Sequence, residues 1–240
     1  MSLTDAINQA ITDAQRSWEV TKQQLSSTSV PEAADLPGVE ARLIEATYLY
    51  TDIVDSSTLA SISPAKTVAS VMALFVKVAV RIIRKNQGHI RSFDGDRVMG
   101  IFTGPNKEHR AVDAALKINK AVRDILNPAI EKQFKSVRDS SWTLRQMTGI
   151  ATGEALVVKV GIRNNDDLLS AGHAPNFAAK LSDQRLGSGI RTAISKTTYD
   201  ALPAADKSSN GKSMWVGSHA LAFGGKRSLF YTSTWYRGIS

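Results

Sequence analysis

The chain has 240 residues, 30 Lys+Arg against 22 Asp+Glu for a net charge of +8, and no cysteine. That length fits one large domain, or a domain with an extension, burying about 70–75% of its unfolded surface without staples. The missing thiols exclude a disulfide framework and a thiolate metal site and fit a reducing compartment, and no apolar run approaches the roughly 18 residues of a membrane span. The polar start MSLTDAINQAITDAQ does not read as a signal peptide. The positive charge suits a polyanionic partner (nucleotide, nucleic acid or anionic lipid) and equally a generic surface, and no aromatic-interleaved basic stripe favours nucleic acid.

Leu3, Ile7, Ile11, Trp18, Val20 and Leu25 recur near helical spacing and predict one amphipathic helix over 3–26. SSTSVPEAADLPG breaks the pattern and predicts a linker, so 1–40 reads as helix plus linker and 41–240 as the main domain. Residues 42–54 read as a buried strand. Pro64 opens a long helix that ends near Gly88. GHIRSF and DRVMGIF, joined by Asp94-Gly95, read as a tight β-hairpin with Asp96 at the head of its second strand. Residues 106–126 are helix-periodic. Residues 142–151 and 155–162 read as strands around a Thr152-Gly153 turn, 174–186 as a short helix and 191–194 as a strand before another helix. MWVGSHALAF and SLFYTSTW close the chain as a hairpin around Gly224-Gly225. Hairpins with intervening helices make this α+β, an antiparallel-rich sheet flanked by helices in a ferredoxin-like arrangement with an N-terminal helical extension.

The chemistry concentrates in two places. Asp52 and Asp55 follow the apolar run ATYLYTDIV, and Asp96 follows the hairpin turn. If the first strand pairs beside that hairpin, Asp52 and Asp96 converge at one end of the sheet. Convergent carboxylates repel unless protonated or bridged by a cation, and hard oxygens suit Mg²⁺ or Mn²⁺. By spacing alone, the same aspartates serve equally as turn and capping residues.

Read together, four segments resemble the class III nucleotidyl cyclases. YTDIVDSS is similar to the metal-binding strand end Phe-x-Asp-Ile-x-Gly-Phe-Thr. FDGDRVMGIF is similar to the Gly-Asp motif with its Met-Ala-x-Phe strand. TGIATGEALVVKVG resembles the glycine-spaced hairpin, and AGHAPNFAAKL resembles Gly-x-x-x-Asn-x-Ala-Ala-Arg-Leu. The resemblance implies two divalent metal ions, Mg²⁺ or Mn²⁺, held by Asp52, Asp96 and the Ile53 carbonyl. The backbone at Asp55, Ser56 and Ser57 would cradle a nucleoside triphosphate. Asn176 would orient the ribose. Lys180 would take the transition-state arginine position as a point charge rather than a fork, with Lys226 a further triphosphate contact. It also implies a head-to-tail homodimer with shared active sites, since one half of each site supplies aspartates and the other the Asn and Arg.

The base-reading positions depart from the family. Ser92 stands where purine cyclases carry lysine, Leu169 where they carry Asp or Thr, and Tyr50 where Phe is usual. A site lacking hydrogen-bond partners for a purine discriminates against it, and Tyr50 adds bulk and a polar tip on the Asp52 face of its strand. The chain thus resembles the pyrimidine cyclases of bacterial anti-phage signalling, cytoplasmic enzymes whose cyclic product acts on a separate effector. The expectation is a uridylate cyclase. An adenylate cyclase, a silent nucleotide-binding dimerisation domain and a nucleic-acid-binding domain are the alternatives.

Overall fold

The computed structural model describes residues 1–15, 17–27, 29–36, 40–162, 165–187 and 189–239, with backbone alone at 161–162 and 165–167. Helix α1 (Leu3–Ala14) starts with a capping box in which Ser2 and Asp5 each accept from the other's backbone N–H. It is shorter than the expected 3–26 helix. Residues Glu19–Gln23 instead form β1, parallel to the first five residues of β2 (Glu40–Ile53). Val20 and Thr21 are β-branched, and a free strand edge outweighs their helical spacing. Val30 and Leu36 are buried, and the Thr103 hydroxyl is 2.7 and 2.8 Å from the carbonyls of Ser26 and Ser29.

After β2 come the short α2 (Ser56–Ile62) and the long α3 (Ala65–Lys85), which buries Val71, Phe75, Ala79, Ile82 and Ile83 along one stripe. Gln87, not Gly88, takes the left-handed φ of 59° beyond the helix. Gly88 is needed for another reason: a Cβ there would lie 2.6 Å from the Phe102 ring. Strands β3 (His89–Asp94) and β4 (Arg97–Phe102) form the expected hairpin. Its turn residues are Gly95 and Asp96, so Asp96 precedes its strand rather than opening it, and the positive φ falls on Gly95. Helix α4 (Lys107–Ala121) runs through a π turn into α5 (Asn127–Gln133), followed by α6 (Lys135–Arg138).

The two strands expected over 142–162 are one. β5 (Gln146–Ile162) is continuous, and Gly153 pairs with Ala46 of β2 in mid-strand. Its glycines make room for a helix instead of a turn: a Cβ on Gly149 would lie 2.1 Å from the Ala178 carbonyl oxygen. The hairpin partner is β6 (Asn165–Ala171), a segment whose Asn-Asp-Asp start gives little strand signal. Next come α7 (His173–Ser182), β7 (Thr192–Ser195), α8 (Lys196–Ala201) and α9 (Ala204–Lys207). A small ladder of β8 (Ser208–Ser209) and β9 (Lys212–Ser213) precedes the terminal hairpin β10 (Val216–Phe223) and β11 (Lys226–Ser233).

Among the described residues the main sheet has nine strands in the order β10-β11-β7-β5-β2-β4-β3, with β1 on β2 and β6 on β5. Only β1–β2 and β5–β7 pair parallel. The architecture is the expected α+β. Leu49 and Ile53 of β2 join the core built with α3 and α4. Tyr48 joins a second core on the opposite face, with Phe177, Ala178 and Leu181 of α7 and with Val30 and Leu36. No described helix is long and apolar enough to cross a membrane.

Candidate active site

Strand alternation puts Tyr50 and Asp52 on the α7 face of β2. Asp52 is the penultimate residue of the strand and mostly buried, and its Oδ2 accepts from Arg97 Nη2 at 3.2 Å. Burial pushes its carboxyl above the ordinary carboxylate range. The Asp96 charge pushes it further the same way, and Arg97 pulls back. The two carboxylates are therefore close enough for the charge of Asp96 to act on Asp52. Asp96 Oδ2 is buried with no hydrogen-bond partner among the described residues. A repelling pair with an orphaned oxygen fits a divalent cation, which would satisfy both carboxylates. Among the described residues no group of three or more His, Cys, Asp or Glu is placed to hold a metal. That leaves Asp52 and Asp96 as the side-chain donors, with substrate oxygens to complete the shell. Ile53 ends β2 with its side chain in the core.

Arg97 was not foreseen. Burial opposes its charge, but Asp52 and Asp183 outweigh that and raise its pKa. It bonds to Asp183, just past the C-terminal end of α7, and so links that helix to the first carboxylate.

The loop after β2 is tightly held. Asp55 adopts the left-handed region at φ 57°, where the family motif has glycine. Its carboxylate accepts from Arg145 at 2.6 Å, and its carbonyl accepts from Trp142 Nε1 at 3.1 Å. Ser56 and Ser57 open α2. Beside this loop a cavity of about 370 Å³ is lined by Asp55, Arg145, Arg185 and Arg191. Burial, and secondarily the Arg145 charge, lowers the pKa of Arg191. A cationic recess beside a backbone loop is suited to a polyanion. These arginines come from two segments about forty residues apart in the chain, Arg145 before β5 and Arg185 and Arg191 between α7 and β7, so no local motif announces them. A groove of about 680 Å³ between α3 and α5 contains none of the expected site residues.

Asn176 and Lys180 lie four apart on the exposed side of α7. Neither reaches Asp52 through any hydrogen bond or ion pair among the described residues. Tyr50 and Ser92 do come together, both against Met99. Leu169, 51% exposed on β6, pairs with Val158, away from that row. Lys226 is exposed at the start of β11.

A protein of Burkholderia cepacia named uridylate cyclase is 38% identical over 219 residues, covering 91% of this chain and 90% of that protein. The chain belongs to the uridylate cyclase family. A uridylate cyclase of Rhodovulum sp. (strain MB263) is 35% identical over 83% of this chain and 82% of its own length. Among solved structures, a bacterial light-regulated adenylyl cyclase superposes with TM-score 0.69 at 22% identity, over 81% of this chain and 52% of that one. The guanylyl cyclase Cya2 gives TM-score 0.66 at 19% identity, over 81% and 94%. The fold is thus that of class III cyclases. No protein-family model matches the chain.

Proposed function

We propose that the protein is a metal-dependent pyrimidine nucleotidyl cyclase that converts UTP to 3′,5′-cyclic UMP and pyrophosphate, as a head-to-tail homodimer with shared sites. The observation that carries this is the pair Asp52 and Asp96, repelling each other at a strand end with one carboxylate oxygen unsatisfied. Asp52 and Asp96 would hold Mg²⁺ or Mn²⁺, which would supply Lewis-acid stabilisation of the attacking ribose oxygen and of the charge on the leaving pyrophosphate. The ribose 3′-oxygen attacks the α-phosphorus, its proton is lost, and the bond from the α-phosphorus to the pyrophosphate oxygen breaks.

The chain's own groups position and neutralise. Arg145, Arg185 and Arg191 offer charge to the triphosphate beside the loop at Asp55, Ser56 and Ser57. Asn176 and Lys180, which make no hydrogen bond or ion pair with Asp52 among the described residues, serve the partner's aspartates, where Asn176 orients the ribose and Lys180 meets developing phosphoryl charge. Tyr50 narrows the base pocket, and the names of the curated relatives support uridine. A second-messenger role in anti-phage defence, with the product acting on a separate effector, belongs to the same proposal and follows from the resemblance of the sequence motifs.

The test is to incubate the purified protein with each of the four NTPs and Mn²⁺ and to resolve the products. Cyclic UMP should dominate and vanish in Asp52→Ala. Cyclic AMP as the main product would overturn the pyrimidine assignment, and no product from any NTP would overturn the cyclase assignment.

A further inference from the structure

Met99 on β4 is the register partner of both Tyr50 on β2 and Ser92 on β3. Tyr50 Oη donates to Met99 Sδ at 3.0 Å, and Ser92 Oγ donates to the same sulfur at 3.6 Å. Met99 is 5% exposed, so substrate does not reach it. Tyr50 and Ser92 are half-buried and flank it. On the far side of Tyr50 the row continues to Gly149, which α7 covers.

A thioether has lone pairs and no proton, so it can only accept. Burial keeps the Tyr50 phenol protonated by pushing its pKa up. Each hydroxyl has a single proton to give. With both protons directed at the sulfur, both oxygens present lone pairs to whatever lies in front of them.

We propose that Met99 is a positioning residue for base choice: by accepting from Tyr50 and Ser92 it fixes both hydroxyls as acceptors toward the base. This rests on the pyrimidine cyclase reading. A base edge with a ring N3–H donor, as in uracil, meets a matching lone pair. Cytosine carries a lone pair on N3, so the match at ring position 3 is lost even though its 4-amino group still offers a donor. The positions that read purines in the family are thereby recast as an acceptor wall. The polarity of that wall is set from behind, by a side chain that touches no substrate.

The experiment measures binding of α,β-methylene UTP and α,β-methylene CTP, which cannot be cyclised, by calorimetry with Mn²⁺. The wild type should bind the uridine analogue about tenfold more tightly, the worth of roughly one hydrogen bond. Met99→Leu conserves volume and should fold normally, as a thermal melt would verify. It frees both hydroxyls to rotate and should bring the two affinities within about twofold of each other. Tyr50→Phe combined with Ser92→Ala should do the same, and adding Met99→Leu to that pair should change the ratio no further. An unchanged ratio in Met99→Leu would overturn the proposal. So would an equal effect of Met99→Leu without the hydroxyls, or a wild-type preference for the cytidine analogue. If neither analogue binds, the inference and the proposed function both fail. If the analogues bind but UTP yields no product, the cyclase reading alone fails, and the binding ratio still decides the role of Met99.

Discussion

At the residue scale, the raised pKa of Asp52 has a consequence for stability. Because burial and Asp96 raise it in the folded state, the folded protein holds that proton more tightly than the unfolded chain does. The ionised form therefore costs stability once the pH exceeds the raised value, and the cost fades as pH falls below the ordinary carboxylate range, where both states are protonated. Without divalent cation, Asp52→Asn should melt at or above the wild-type temperature at pH 7, with the gap closing in acid, while turnover is lost. A clear drop in melting temperature at pH 7 would mean that the Arg97 bond outweighs burial. Tyr50→Ala should enlarge the base pocket, so that ATP turnover rises relative to UTP in competition. An unchanged ratio would remove Tyr50 from substrate choice. The two aspartates stood out because each sits in a local motif. Arg97 did not, because its partners Asp52 and Asp183 lie 45 and 86 positions away, and ion pairing over such separations leaves no pattern in one sequence.

At the element scale, α7 carries Asn176 and Lys180 and rests directly on β5. A Cβ on Gly149 would lie 2.1 Å from the Ala178 carbonyl and 2.5 Å from the Ser182 nitrogen, both backbone atoms, whereas on Gly153 it would lie 3.3 Å from the Ala174 Cβ. Gly149→Ala should therefore destabilise by about 2–3 kcal/mol and depress turnover by lifting α7, and Gly153→Ala should cost less than about 1 kcal/mol. Urea titration separates the two, and equal effects would contradict the close seating of α7 at Gly149. This contact also explains a misreading. Glycine in a strand signals a turn or a close approach with the same letter, and Thr152-Gly153 was read as the turn. The long helix α3 and the β3–β4 hairpin were legible because apolar period and turn chemistry agree there. β1 was hidden under helical spacing, because only its pairing with β2 makes it a strand.

At the scale of the whole molecule, the C-terminal tail ties the end of the sheet to α4. Arg237 bonds to Asp113 at 3.0 Å and to the buried Asp206 at 2.8 Å, and Asn119 donates to the Trp235 carbonyl at 2.7 Å. Arg237→Ala would leave Asp206 bonded to the His109 ring without the guanidinium and should destabilise by about 3 kcal/mol, read by denaturant midpoint. An effect below about 0.5 kcal/mol would mark the tail as passive. The α+β class was legible from the order of helices and hairpins, and the N-terminal helix from its apolar spacing. Where the second half of the site comes from was not legible in physical terms. Asn176 and Lys180 face outward from α7, and in the proposed dimer their complement comes from the second copy. The most direct test of shared-site cyclase chemistry mixes Asp52→Ala with Asn176→Ala, each inactive alone, and measures cyclic UMP formed from UTP. With random two-fold pairing, half the dimers are mixed and each mixed dimer regains one of two sites, so activity should return to about a quarter of wild type. No recovery, with mixed dimers verified by mass, would contradict it.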